Sequence, residues 1–360
     1  MIPKAVERLI EYAVKAPSGD NAQPWRFIYR PDNSTLSIEI DESRVDSPQV
    51  MWQFVARLSC GAALENLLRA APCLGLEAGL LAPGDGEICR VRLRPTQVAG
   101  GPPDVLEDLA RRMTNRKTYF RTAISPLMAQ RLGDATPLLG GVRTFWICDR
   151  ERIDELAKLI YELDAAMYGI RPIWKSIDQR IRFDRPWKEE VPVGLSTGAL
   201  ELPRAKLWAI RHLDLVPHPL LRALGIVKAF SRRTLGLIRS AGGLCYIVAD
   251  DDRPETDVWA GRVVESAWLA LTAEGLSAHP MNSVALMEHV LDHGEPELRR
   301  CVEATSIRQL VEKFRAQVPE AEGRRSVFLM RFGHAPAPTN RTGRLPLKNV
   351  ARVVAPAAAA

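Results

Sequence analysis

Ala16-Pro17-Ser18-Gly19-Asp20-Asn21-Ala22-Gln23-Pro24-Trp25 is the stretch on which the reading of this chain turns. Upstream, Val6, Leu9, Ile10, Ala13 and Val14 recur at helical spacing. Downstream, Phe27 and Tyr29 alternate as in a strand. The stretch therefore connects a helix to a strand, a connection that is normally short and featureless. This one packs two prolines, a hydroxyl, two carboxamides and an indole. Asn21 and Gln23 each present donor and acceptor groups in one plane, which suits the edge of a planar heteroaromatic ring. The same residues also make a rigid turn between Pro17 and Pro24, with Ser18 capping a helix end. Residue chemistry alone leaves both readings open.

Three long helical patterns frame the rest of the chain, at 54–76, 151–167 and 258–275. The second carries Leu156, Leu159, Ile160 and Leu163 on one face. The first and third are small and apolar nearly all round, as buried central helices are. Strand-like runs lie at 36–40, 88–93, 142–147, 244–249 and 326–332. Helices and strands mix without a regular βαβ alternation, so the predicted class is α+β. Gly75-Leu76 closes the first helical pattern and Gly275-Leu276 the third, an echo that reads as a two-fold repeat of about half the chain. Ala99-Gly100-Gly101-Pro102-Pro103 is the predicted linker. The expected division is an N-terminal half (1–103), a C-terminal half (104–350) with an insert at about 168–240, and a flexible tail (351–360).

At 360 residues, with 46% apolar content, the chain can bury a large core. Forty-nine cationic residues against 43 acidic ones give a net charge of +6 and a pI near 9.1. No Lys/Arg tract interleaves with aromatics, so nucleic acid is not an expected partner. Small anions such as a phosphate suffice to explain local arginine clusters. The six cysteines are scattered, mostly in apolar runs, as free thiols in a reducing compartment are. Glu7 and Glu11 interrupt any signal core, and no run is apolar and long enough to span a bilayer. The expectation is a soluble, cytoplasmic protein without stable membrane insertion.

The stretch at 16–25 resembles the A-P-S-x-x-N-x-Q-P-W element of the FMN-dependent nitroreductase family, which lies beside the flavin ring. Arg112-Met113-Thr114-Asn115-Arg116 is similar to that family's R-x-S-x-R phosphate element, with Thr114 in place of serine. Glu274-Gly275-Leu276-Ser277-Ala278-His279-Pro280-Met281-Asn282-Ser283 looks like its G-L-x-x-x-P loop, whose backbone meets the ring. Asn340-Arg341-Thr342-Gly343-Arg344 looks like its C-terminal basic clamp. These parts are divided between the halves and make one flavin site, not two. The chain thus resembles the single-chain, pseudo-dimeric branch of the family. The resemblance implies a three-layer α/β/α fold, a tandem pseudo-dimer with mixed or antiparallel sheets and buried central helices, able to act as a monomer.

It also implies bound FMN. Arg112, Arg116, Arg341 and Arg344, with the Thr114 hydroxyl, are the expected phosphate ligands, because arginine meets a dianion through a planar fork. Ser18, Gly19, Asn21 and Gln23 are expected at the ring and ribityl chain. Pro280, Met281 and Asn282 would offer a backbone N–H to the flavin N5/O4 edge, tuning the cofactor. Asp20 is expected to point outward, away from a reduced, anionic flavin. Each reading has a plainer rival. The 111–117 run reads equally as a solvated helix end. Pro280-Met281-Asn282 reads as a loop capping the next helix. His289 and His293 share a helical face, but with no third ligand at a persuasive spacing they read as surface histidines. Asp250-Asp251-Asp252 reads as a polar turn. No residue is expected to act as a nucleophile.

The insert at 168–240 departs most from the family pattern. It carries Trp174, Trp187 and Trp208, a basic run around Arg180, Arg182 and Arg185, and an amphipathic basic stretch at 220–239. By the resemblance it corresponds to a lid over the flavin. Three uses follow. One is an oxidoreductase in which NAD(P)H passes hydride to flavin N5 and a nitroaromatic, quinone or similar small-molecule acceptor takes the electrons by ping-pong turnover. A second is an FMN-sequestering protein with little turnover. A third is a tailoring dehydrogenase of a biosynthetic intermediate.

Overall fold

The computed structural model describes all residues except 1, 46–49, 97–99, 103, 179, 188, 213–215 and 355–360. The chain opens with α1 (Lys4–Ala13), whose apolar face Val6, Leu9, Ile10 and Ala13 is buried. Then come β1 (Trp25–Arg30), β2 (Thr35–Ile40), α2 (Val50–Cys73), β3 (Leu76–Leu81), β4 (Glu87–Pro95) and α3 (Asp104–Arg111). Next come α4 (Pro126–Asp134), β5 (Val142–Ile147) and α5 (Arg150–Tyr168). The insert supplies α6 (Arg171–Asp178), β6 (Ile181–Arg182), β7 (Leu195–Ser196), α7 (Arg204–His212), α8 (His218–Ala223) and α9 (Ile226–Arg239). The chain closes with β8 (Gly243–Ala249), α10 (Pro254–Ala273), β9 (Ser277–Pro280), α11 (Ser283–His293), α12 (Pro296–Glu303), α13 (Ile307–Ala316), β10 (Arg325–Gly333), α14 (Leu347–Val350) and β11 (Ala351–Val353).

The class is α+β, as predicted. One sheet runs β11-β1-β2-β4-β3, the other β5-β8-β10-β9, and a small pair joins β6 to β7. The large sheets are antiparallel throughout except where β1 pairs β11 in parallel, Phe27 opposite Ala351. All of β8 is buried, so its sheet is covered on both faces.

The predicted central helices α2 and α10 pack along one another. Their contact is set by two glycines. A Cβ on Gly61 would overlap the Val258 carbonyl, and a Cβ on Gly261 would overlap the Leu58 carbonyl. Small residues let the backbones meet, which is why both helices read as apolar on every side. The cores interleave accordingly: Phe54 and Leu58 of α2 pack with the β8–β10 core, and Val258 and Leu269 of α10 pack with the β1–β4 core.

Two expectations need correction. Ala351–Val353, read as part of a flexible tail, is the edge strand β11, and Val350 before it is buried. Backbone pairing with β1 fixes it, a signal that side-chain composition does not carry. The basic stretch at 220–239 is not one helix. Gly225 in the left-handed conformation (φ +68°) ends α8 and starts α9. The linker's Ala99 and Pro103, Lys188 and the tail 355–360 lie outside the described residues.

Candidate functional site

The turn between α1 and β1 is strained. Asp20, Asn21 and Gln23 all take positive φ, at +47°, +58° and +53°. Such conformations cost on the order of 1–3 kcal/mol each for residues with a Cβ, and surrounding contacts must hold them. The Ser18 hydroxyl accepts from the Gln23 backbone N–H at 3.0 Å and closes the turn; it caps no helix. Asn21 Nδ2 donates to the carbonyls of Pro192 (3.2 Å), Gly194 (3.3 Å) and Gly343 (3.3 Å). Gln23 Nε2 donates to the Pro192 carbonyl at 2.6 Å, and its Oε1 accepts from the Leu345 N–H at 2.9 Å. The two carboxamides thus bind backbone and, at Asn21 Oδ1, the Arg344 guanidinium rather than presenting free edges to a ring. Gln23 is fully buried and stands outside the cavity wall described next, which corrects its expected place at the ring.

Beside this turn lies a cavity of about 870 Å³. Its wall brings together Ser18, Gly19 and Asn21 with Arg112, Thr114, Arg116, Pro280, Met281, Asn282, Arg341 and Arg344. The sequence elements from both halves therefore converge on one space. Helix α2 adds Met51, Trp52 and Val55. The insert adds Ile181, Leu195, Ala199, Ile210 and Arg233, so it forms part of this wall. Asp20, expected to face outward, also lines the wall, and its charge acts on Arg116.

One end of the cavity is cationic. Burial, together with the charges of Arg341 and Arg344, lowers the Lys15 pKa. Burial, then the neighbouring Arg112, brings Arg344 down to about 9. Arg112 pairs with the buried carboxylate of Glu265 at 3.0 Å and lies over the Trp268 ring at 4.8 Å. Burial raises Glu265 to about 7, against the pull of Arg112. The cluster thus sets four cations against one carboxylate at its centre.

Its donors are unevenly spent. Arg344 donates through Nε to the Val14 carbonyl (2.6 Å), through Nη2 to those of Lys15 and Ala16 (3.0 Å each), and through Nη1 to Asn21 Oδ1 (3.1 Å) and the Gly343 carbonyl (3.0 Å). Every direction of its guanidinium is used, so Arg344 contributes field rather than hydrogen bonds to a ligand, a correction to its expected role. Arg341 spends Nη2 on the Ala110 and Arg111 carbonyls (2.5 and 3.1 Å). Its Nε and Nη1, and Lys15 Nζ, make no hydrogen bond among the described residues.

Arg116 reaches the insert through one nitrogen, Nη1. It donates to the Ala199 carbonyl at 3.0 Å, while Arg233 donates to the carbonyls of Leu200, Glu201 and Arg116, all at 3.0 Å. Glu201 in turn receives the Thr339 hydroxyl at 2.8 Å, and the Gly343 N–H meets the Val191 carbonyl at 3.0 Å. Residues 189–201 therefore form a strap held from four directions. The 111–117 run is not a solvated helix end: Arg112 and Asn115 are buried, and Thr114 bridges Ala278 beside β9.

The loop at 280–282 corrects another expectation. The Met281 N–H donates to the Leu329 carbonyl (2.8 Å), and Asn282 Oδ1 accepts from the Leu329 N–H (3.0 Å). Sheet pairing uses the Met281 donor that was expected to face a ligand. His289 is no surface histidine; it is buried and stacks on Phe54, with ring centroids 4.4 Å apart. Among the described residues no group of His, Cys, Asp and Glu is arranged to hold a metal. Among them, too, no helix is long and apolar enough to cross a membrane.

Four wall or near-wall residues were not singled out from sequence. Arg233 sits in a basic stretch that masks it, and the cations around Lys15 come from the far end of the chain. Asp164 interrupts the apolar face of α5, four residues after Ile160, and Glu265 interrupts the apolar α10. A charged residue on a buried helical stripe was the legible signal for both.

No protein-family profile matches the chain. It is 22% identical over 343 residues to an uncharacterised protein of Mycobacterium tuberculosis, covering 92% of this chain and 46% of that one. The chain thus spans about half the length of the curated relative it matches. Among solved structures it is similar to the FMN-dependent nitroreductase NfnB from Mycobacterium smegmatis in complex with NADPH (17% identity, 69% of this chain, 99% of that one, TM-score 0.37). It is also similar to a nitroreductase with bound FMN from Bacteroides fragilis (12% identity, 65% and 90%, TM-score 0.36). A third similar structure is the NADPH:FMN oxidoreductase from Vibrio harveyi complexed with NAD+ (11% identity, 68% and 74%, TM-score 0.35).

Proposed function

We propose that this protein is an FMN-binding oxidoreductase, a single-chain pseudo-dimer with one flavin site, served by NAD(P)H and a small-molecule electron acceptor. The observation that carries the reading is the cavity between the halves, with its cationic end and the elements at 16–25, 112–116, 280–282 and 341–344 around it. The residues present fit FMN. A phosphate dianion would relieve the mutual repulsion of Lys15, Arg112, Arg341 and Arg344, which Glu265, and Glu11 beside Lys15, offset in part. Lys15 Nζ and the Nε and Nη1 of Arg341 are the donors that would hold it, with the Thr114 hydroxyl lining the same wall. The volume falls in the range of small-molecule and cofactor pockets, roughly 300–1,000 Å³.

Bound FMN would supply hydride chemistry at N5. The chain's own part is to bind, orient and shield. The strained turn at 20–23 fixes one wall, the β9 segment fixes the opposite one, and the strap limits water. Asp20 disfavours extra negative charge in the cavity, while Arg116 opposes it.

The strap favours a second reading beside the first. A site closed by Arg116, Arg233, Asn21 and Gln23 suits retention of flavin with slow exchange of nicotinamide. Comparing FMN with riboflavin tests the binding reading. FMN is expected to bind at least tenfold tighter, and Lys15→Ala with Arg341→Ala to abolish that preference. Equal affinity for both flavins in the unmodified protein would refute the phosphate end.

A further inference from the structure

Asp164 stands apart from the elements that define the proposed flavin site. It lies on α5, is buried, and lines the cavity on the side walled by the insert. Thr234 of α9 donates its hydroxyl to Asp164 Oδ2 at 2.6 Å, and Ser283 of α11 lines the same cavity. The acid on α5 and the hydroxyl on α9 thus meet across two elements. No cation pairs with it among the described residues.

Its surroundings are apolar. Met51 and Trp52 face the same cavity from α2, Met167 from α5, and Leu286 and Met287 from α11. The other titratable groups around it are few. Tyr168, one turn on along α5, is partly buried and has its pKa raised by desolvation, then by Asp164 and Asp20. Arg233 precedes Thr234 on α9 but spends its donors on backbone carbonyls. Asp20 reaches in from the turn at 16–25. An acid so placed is not a structural counter-ion, because it neutralises nothing. A stability role is also a poor fit, since burying an unpaired carboxyl costs folding free energy.

We infer that Asp164 is the proton donor to an acceptor molecule bound in the insert-side part of the cavity, with Thr234 holding the carboxylate that remains. The inference rests on the flavin reading, which supplies the electrons. An acceptor that takes up a hydride from reduced flavin gains a negative oxygen or nitrogen. The Asp164 O–H bond breaks, an O–H or N–H bond forms on the acceptor, and the electron pair stays on Asp164. Solvent then restores the proton. Burial brings the carboxyl up to about 6, where both forms are populated near neutral pH. The Thr234 hydroxyl suits both states, because it donates to the carboxylate and rotates freely beside the acid.

The test uses the whole protein loaded with FMN and reduced anaerobically with dithionite. Two acceptors are then mixed in, 1,4-naphthoquinone, which needs protons, and ferricyanide, which does not. Asp164→Asn is expected to slow reoxidation by the quinone roughly 100-fold or more and to leave ferricyanide within about twofold. It is also expected to remove a carboxylic-acid C=O infrared band that titrates near pH 6 in the unmodified protein. Equal slowing with both acceptors, or slowing with neither, overturns the inference while the flavin reading stands. Absence of the infrared titration overturns it as well. A protein that takes up no FMN, or whose reduced form gives nothing to ferricyanide, refutes the flavin reading and this inference with it. Should Asp164→Asn fail to fold, Thr234→Val is the substitute. It is expected to move the infrared midpoint upward, and an unmoved midpoint counts against the assignment.

Discussion

Gln23 Nε2 donates to the carbonyl oxygen of Pro192 at 2.6 Å, joining positions 169 apart in the chain. The contact ties the strained turn after α1 to the strap at 189–201. Asn21 repeats the tie at Pro192 and Gly194. Gln23→Ala leaves the Leu345 N–H short of its partner, worth about 1–3 kcal/mol when buried, and takes one of two donors from the Pro192 carbonyl. Faster amide hydrogen exchange is expected throughout residues 189–201, with α2 and α10 unaffected. Unchanged exchange in the strap would show that the latch lies elsewhere.

Gly61 and Gly261 set the α2–α10 contact, and neither tolerates a methyl group without moving a facing carbonyl. Gly61→Ala or Gly261→Ala is expected to destabilise the protein by about 3 kcal/mol, at the upper end for overpacking. Denaturant unfolding measures it. A loss below about 0.5 kcal/mol would mean that the helices part easily.

Arg341 and Arg344 are expected to separate in their effects, although they share one motif. Arg344 spends its guanidinium on the chain itself. Arg344→Ala should therefore lower thermal stability, whereas Arg341→Ala should lower FMN affinity and leave unfolding nearly unchanged. Paired melting and flavin titrations decide between them. The reverse pattern would reassign the phosphate donors.

Asp164 binds its proton more tightly in the folded chain than in the unfolded one, with a pKa brought up from 3.8 to about 6 by burial. The folded state then holds more protons between those values, so stability falls as pH rises through that window. The contribution amounts to about 3 kcal/mol. Asp164→Asn is expected to flatten the unfolding free energy between pH 4 and pH 6. Glu265, raised to about 7, acts with the same sign and extends the decline toward neutrality. A slope of opposite sign at pH 4–6 would contradict both assignments.

The fold was legible wherever packing repeats along the chain. The small-residue helices announced α2 and α10, and the alternating runs announced β1, β2, β4, β5, β8 and β10. Strand β11 was not legible, because its place depends on a backbone edge left open by β1. The motif positions marked the cavity wall, yet not what each side chain does there. Gln23 and Arg344 bond to backbone from distant segments, and no local spacing encodes those partners. Lys15 was hidden because its cationic partners, Arg341 and Arg344, come from the far end of the chain.

The visible absorbance spectrum of the purified protein, followed anaerobically as NADPH or NADH is added, tests the central claim most directly. A yellow protein that holds FMN in stoichiometric amount is expected. Bleaching by nicotinamide would place it among the reductases, and bleaching by dithionite alone would mark the strap as closed to nicotinamide. A colourless protein that takes up no FMN, even when the cofactor is supplied, would contradict the flavin site.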